Sequence, residues 1–191
     1  MCFILTSKIE NSKEDAKMRA VLKKPALLSI LCATVETFKK ESLLVLLGHR
    51  KSNDLIIEHA LPMQTAKRNF KLVENKDYRQ KLIMELSSFL WKNSQIIGDA
   101  HSHTEFGESQ FAAQPSQADK NDAESENVYI VLAVTIKKKT QRWQKVKNGG
   151  IVGTLGKYRF EINAFWAPED KKLEQIPLIC PLAYKLNAFK K

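Results

Sequence analysis

The sequence predicts a mixed α/β (α+β) fold in which helices sandwich a single mixed β-sheet. Two observations carry this. The apolar runs Leu43–Leu47 and Val128–Ile136 have strand length and are near-continuous, as in strands buried on both faces. Around them lie segments whose apolar residues recur at helical spacing, so that helix, strand, strand, helix, strand, helix, strand, strand follow in order. A chain of 191 residues fits one domain that buries about 70% of its unfolded surface.

Residues 1–23 are mixed, a short strand and then a charged loop or helix. Pro25 suits the first turn of a helix, and Leu27, Leu28, Leu31, Cys32 and Val35 keep helical spacing on the way to Lys40. Glu41 opens a buried strand that runs to Gly48. Ser52-Asn53-Asp54 turns the chain into a second strand, Leu55–Leu61, and residues 62–76 read as loop. Lys76 or Asp77 to Trp91 reads as an amphipathic helix, with Tyr78, Leu82, Leu86, Phe89 and Leu90 on one side. Gln95–Gly98 is a short buried strand and residues 104–115 are loop. Ser116 caps a short helix over 117–124. Val128–Ile136 is a strand, Asn148-Gly149-Gly150 a turn, and Lys157–Trp166 an alternating strand. The expected organisation is an N-terminal extension over 1–24, a central domain over 25–167, and a tail over 168–191 that packs on the domain or trails it. There is no internal repeat.

Composition narrows the function classes. No apolar run approaches the roughly 18 residues of a membrane span, so no membrane partner is expected. The start Met1-Cys2-Phe3-Ile4-Leu5 turns charged at once, which argues against a signal peptide. Cys2, Cys32 and Cys180 are far apart, without metal or redox spacing, and a sparse, odd cysteine count fits a cytoplasmic protein. Cys32, on an apolar helical face, is expected in the core. Net charge is +10, densest at Lys137-Lys138-Lys139 through Arg142, Lys145 and Lys147. Such a patch suits an acidic partner, but no aromatic series or nucleic-acid motif accompanies it, so a solvated hairpin loop is the preferred account. The sequence is compatible with a homodimer without specifying one.

The chemistry concentrates in Ile96-Ile97-Gly98-Asp99-Ala100-His101-Ser102-His103. Two histidines two apart at a strand end point to the same side, where both rings can converge on one ion. An aspartate a little further on, Asp119 in Ser116-Gln117-Ala118-Asp119, can supply a third ligand, with Asp122 and Glu124 as alternatives. Three protein ligands plus one open position describe a catalytic zinc site. Ser-x-x-Asp by itself is also an ordinary helix start. A base for water is still needed, and Glu41, at the mouth of a buried strand, is the candidate, since a carboxylate there is costly without a partner. Alternatively it is the exposed first residue of that strand. His49, after Gly48, reads as a surface turn residue, and His59 as solvent-facing or hydrogen-bonded.

Glu41 with its apolar run, then His101-Ser102-His103, then Pro115-Ser116-Gln117-Ala118-Asp119 together resemble the JAMM (MPN+) metalloprotease signature over about residues 25–165. Thr104 stands where that family usually has proline, and the spacer 104–115 is longer than usual. The resemblance implies a curved mixed sheet between helices, the cytidine-deaminase-like JAMM architecture. It implies Zn²⁺ held by His101, His103 and Asp119, with Glu41 as the general base for the attacking water and proton donor to the leaving amine. It implies Ser116 as a hydrogen-bond donor to the developing oxyanion. The implied activity is hydrolysis of the bond after the C-terminal Gly-Gly of a ubiquitin-like or sulfur-carrier protein, whose tail binds as an added strand, with the 104–115 loop flanking the site.

Two rivals differ in class. Many MPN-type domains lack the metal set and act as scaffolds, whereas this chain has every ligand type. Asp99-Ala100-His101-Ser102-His103-Thr104 also looks like the opening motif of PHP-type phosphoesterases, but no histidine follows it and too little chain remains for a barrel. A cytidine-deaminase-like site is excluded, because His101 lacks the following glutamate and there is no Pro-Cys-x-x-Cys.

Overall fold

The fold is organised around the apolar run at 128–136. The computed structural model describes residues 17–63, 67–68, 73–74, 81–83, 85–86, 89, 94–104, 112–137, 139–170 and 172–188. Val128–Ile136 is β7, buried along its length up to Thr135. A run with so little polar content needs a strand on each side and cover on both faces. On one side it pairs antiparallel with β10 (Tyr158–Trp166), in unbroken register from Tyr158↔Ile136 to Trp166↔Val128. On the other it pairs parallel with β6 (Gln95–Thr104), placing His101 opposite Val131 and His103 opposite Ala133. β6 pairs antiparallel with β2 (Leu43–Lys51), and β2 with β3 (Asp54–Pro62).

Five short strands complete the sheet: β1 (Arg19–Leu22), β8 (Gln144–Lys145), β9 (Ile151–Leu155), β11 (Glu174–Ile176) and β12 (Leu178–Ile179). The result is a curled, mixed, 10-stranded sheet ordered β12-β1-β3-β2-β6-β7-β10-β9-β8, with β11 against β10. β1 comes from the segment expected as an extension, and β11 and β12 from the segment expected as a tail. β4 (Lys67–Arg68) and β5 (Val73–Glu74) form a separate antiparallel pair inside what the sequence suggested was loop. Gly98 is where β6 meets β7. Its φ is +146° and a Cβ there would lie 1.7 Å from the Val128 carbonyl oxygen, so only glycine lets the two backbones come this close.

The faces of the sheet differ. The back face carries Leu44, Leu46, Ala100, Ile130, Leu132, Phe160 and Ile162, which pack with Ala26, Leu27, Ile30 and Leu31 of α1 (Lys24–Glu36). α3 (Pro181–Lys185) contributes Ala183 to the same core. The front face carries Tyr129, Val131 and Phe165 in one cluster and Val45, Leu47 and Met63 in another. Alternate residues of β6 and β7 therefore serve opposite layers. α2 (Gln117–Asn121) follows the long connection after β6.

Several expectations need correction. α1 ends at Glu36, and its buried stripe runs through Ala26, Leu27, Ile30, Leu31, Ala33 and Thr34. Leu28 and Cys32, four residues apart, lie on the other side and are exposed, so Cys32 is not a core residue. β2 begins at Leu43 and runs past Gly48, which marks a bulge against β3 and not the strand's end. His49 is thus a strand residue, its Nδ1 3.7 Å from Glu58 Oε1. His59, on β3, is half-buried and partnered. In the expected helix over 76–91, the described residues 81–83, 85, 86 and 89 are helical. Ile83 packs on the front cluster, whereas Leu82, Leu86 and Phe89 are 52%, 53% and 82% exposed. Tyr78 and Leu90 lie outside the described residues, as does Lys138. Among the described residues, it is Ile83 and not Leu82, Leu86 or Phe89 that packs against the sheet. Among the described residues no helix is long and apolar enough to cross a membrane.

Candidate metal centre

β6 positions the two histidines because it is locked on both sides. Leu43 pairs with His101, and the Ser102 N–H donates to Ser42 O at 3.1 Å, which carries the register one residue beyond β2. On the back face, Ser102 Oγ accepts from both the Ser42 N–H and Ser42 Oγ, each at 2.9 Å, and Thr34 Oγ1 lies 3.3 Å from Ser42 Oγ. All three hydroxyl residues are buried. With Ser102 turned to the back, His101 and His103 face front together, their ring centroids 5.2 Å apart. Glu41 lies just before Ser42, outside β2, and its carboxyl is close enough to the site to feel the charges of His101 and Asp119. Glu41 thus precedes the strand it was expected to open, and it is half-buried where the alternative account had it exposed.

The third ligand arrives on α2. Ser116 is its N-cap, with Oγ accepting from the Asp119 N–H at 3.2 Å, while Asp119 Oδ2 accepts from the Ser116 N–H at 2.6 Å. This capping box, of the kind typically contributing about 1 kcal/mol, fixes the aspartate's rotamer. The same Oδ2 then lies 3.4 Å from His101 Nε2 and 3.9 Å from His103 Nε2. The two accounts of Ser-x-x-Asp, helix cap and candidate ligand, are compatible: the cap aims the Asp119 carboxylate at the histidines. The helix is shorter than expected, ending at Asn121. Asp122 and Glu124 are exposed and not brought to the histidines; Asp122 caps the helix, and Glu124 accepts from Asn127 Nδ2 at 3.0 Å.

Among the described residues, His101, His103 and Asp119 form a group that could hold a metal ion, their ligand atoms all within 4.8 Å of one another. The hydrogen bonding fits that use. His103 Nδ1–H donates to Ala112 O at 3.1 Å, and Asp99 Oδ1 lies 3.3 Å from His101 Nδ1. A carbonyl only accepts, so the His103 proton is on Nδ1 and its Nε2 carries a lone pair. His101 Nε2 is buried and faces Asp119 Oδ2 at 3.4 Å in place of a well-aligned hydrogen bond, a gap that an ion between the two would fill. Ligand atoms about 2.0–2.1 Å from a tetrahedral zinc lie roughly 3.3–3.4 Å apart, close to the observed His101–Asp119 separation. Imidazole and carboxylate donors suit Zn²⁺, and partners on the outer nitrogens are the usual support for metal-binding histidines.

The charges set a pH dependence. Burial opposes a charge on His101, but hydrogen bonding and attraction from Asp119 and Asp99 outweigh it and raise its pKa to about 10. Burial and the charge on His101 lower the pKa of His103. Burial raises that of Asp119, but His101 and the Ser116 cap more than offset this and hold it well below the usual carboxylate range. Burial raises the pKa of Glu41, with His101 opposing and Asp119 adding. Near pH 7.5 the metal-free centre therefore carries one displaceable proton, on His101. Zinc binding should release about one proton from His101 and a further fraction from a coordinated water of pKa about 7, and apparent affinity should rise at least tenfold per pH unit from neutrality to about pH 9. Calorimetry in buffers of different ionisation enthalpy measures this directly; a release no larger than the water's fraction would mean that His101 is already neutral.

Asp99, Ser42 and Asn163 support the site; Asp99 was noted in the sequence only as part of the rival phosphoesterase motif, and Ser42 and Asn163 were not singled out. Asp99 was legible in principle, because a residue two before His101 on a strand shares its face. Ser42 and Asn163 come from segments 60 and 50 residues from their partners, and no local pattern marks them.

Residues 23–146 match the family of prokaryotic homologs of the JAB domain, a span containing Glu41, His101, His103, Ser116 and Asp119. The solution structure of protein DSY2949 from Desulfitobacterium hafniense is similar in fold, with a TM-score of 0.56 at 17% identity, covering 84% of this chain and 92% of that one. No curated protein matches the chain. With the matched span taking in more than half of the chain, half of the sheet's strands and every candidate ligand, the chain belongs to the prokaryotic JAB-domain family, a branch of the JAMM/MPN family that its motif resembles.

Proposed function

We propose that the protein is a zinc-dependent isopeptidase or peptidase that cleaves after the C-terminal Gly-Gly of a ubiquitin-like or sulfur-carrier protein. The observation that supports this is the grouping of His101, His103 and Asp119 on the front face, with the Glu41 carboxyl near enough to feel the charges of His101 and Asp119. A scaffold has no need of a half-buried carboxylate at that place. Zinc, when bound, supplies Lewis acidity and brings the pKa of a coordinated water to about 7. Glu41 accepts the proton of the attacking water at a carboxylate oxygen and returns it to the departing amine; its raised pKa makes it a better acceptor than an ordinary carboxylate. Ser116 Oγ uses a lone pair in the helix cap, and its O–H, beside the Asp119 carboxylate, is the donor that would turn to the oxygen that gains charge. One such donor typically contributes about 2.7–4 kcal/mol.

The test is incubation with ubiquitin-like proteins of the same genome that carry C-terminal extensions. Cleavage after Gly-Gly should stop with a chelator and return on adding Zn²⁺. Stoichiometric zinc without cleavage of any such substrate would contradict the substrate class, and cleavage indifferent to chelator would contradict the metal chemistry.

A further inference from the structure

The connection from β6 to α2 delivers the third ligand, and residues 112–116 run along the front face of the sheet. Two hydrogen bonds hold adjoining carbonyls there: Ala112 O accepts from His103 Nδ1 at 3.1 Å, and Ala113 O accepts from Asn163 Nδ2 at 2.8 Å. Asn163 is on β10, paired with Val131, which is paired with His101, so three neighbouring strands align these residues in a row. Asn163 and Ala113 are both fully buried. A fully buried amide costs free energy unless its hydrogen bond is needed. Its Oδ1 has no partner, and the side chain is wedged against Gly150, where a Cβ would come within 1.9 Å of that oxygen. What the amide does is donate to Ala113.

The geometry points to Asn163 as a positioning residue for the metal centre. By fixing the Ala112–Ala113 segment it presents the Ala112 carbonyl to His103 Nδ1, which directs His103 Nε2 to the ion, and it sets where the chain turns into Ser116 and Asp119. This answers how a spacer longer than the family's usual one still brings Asp119 to the histidines: its end is tied down at two carbonyls. The inference rests on the metal-centre part of the proposal above.

The test starts from wild-type, metal-free protein. Long-range ¹H–¹⁵N spectra of the histidine side chains should show His103 protonated at Nδ1. Asn163→Leu, and Asn163→Ala as a second variant that also lacks a donor, should each move His103 toward the Nε2–H form. Each should also weaken Zn²⁺ binding about tenfold or more in chelator competition, as losing an outer-shell partner does. A wild-type His103 protonated at Nε2 overturns the inference without any variant. So does a folded Asn163→Leu with wild-type tautomer and wild-type zinc affinity, because Asn163 would then only fill space. If wild-type protein binds no zinc yet Asn163→Leu still shifts the tautomer, the positioning role stands and the zinc proposal alone fails.

Discussion

Glu41→Gln is expected to keep its fold and its zinc while losing activity by about 10²–10⁴-fold, the usual contribution of a positioned general acid–base. The amide matches the carboxylate in shape and can still hydrogen-bond water, but it cannot take up a proton. Glu41 is not one of the three grouped residues that could hold the ion, so metal content should be unchanged. The loss should fall on kcat as well as kcat/KM, since proton transfer occurs only on the way to the transition state. Equal rates for wild type and variant, measured on the same Gly-Gly substrate, would remove Glu41 from the chemistry.

His101→Ala is expected to abolish stoichiometric zinc binding and activity together. The substitution removes one ligand and leaves Asp99 and Asp119 without the imidazole between them. Stability reports the same loss. Zinc at a hundred times its Kd stabilises a protein by about 2.7 kcal/mol, which for a chain of this size is a rise in Tm of roughly 5–11 °C. Wild type should show that rise and His101→Ala none. A variant that still gains thermal stability from zinc would place the metal elsewhere.

Much of this was legible in the sequence because the decisive signals are local. Val128–Ile136 is a strand for the full length of its apolar run, and Tyr158–Trp166 differs by one residue from the alternating segment at 157–166. The His-x-His pair carries its own geometry, since period-two alternation puts both rings on one face. The Ser116 cap and the acid three residues on are likewise local. What failed to show is what packing decides. The strands β1, β8, β11 and β12 are two to four residues long, too short for periodicity, and are strands because a neighbour in the sheet pairs with them. Helical spacing could not say that Ile83 faces inward and Leu82 outward, or that Cys32 faces solvent. Gly48 read as an end because glycine often is one; here it allows a bulge, and β2 continues through His49. Asn163 had no visible role, because its partner Ala113 is an ordinary alanine 50 residues away.

The most direct measurement of the central claim is X-ray diffraction from crystals grown with Zn²⁺, with anomalous data on both sides of the zinc edge. The account predicts one strong anomalous peak bonded to His101 Nε2, His103 Nε2 and an Asp119 oxygen, with Glu41 within reach of the solvent molecule at the fourth position. A zinc-soaked crystal with no peak between the two imidazoles, or with the peak there and the Glu41 carboxylate turned away beyond reach of any bridging water, would contradict it.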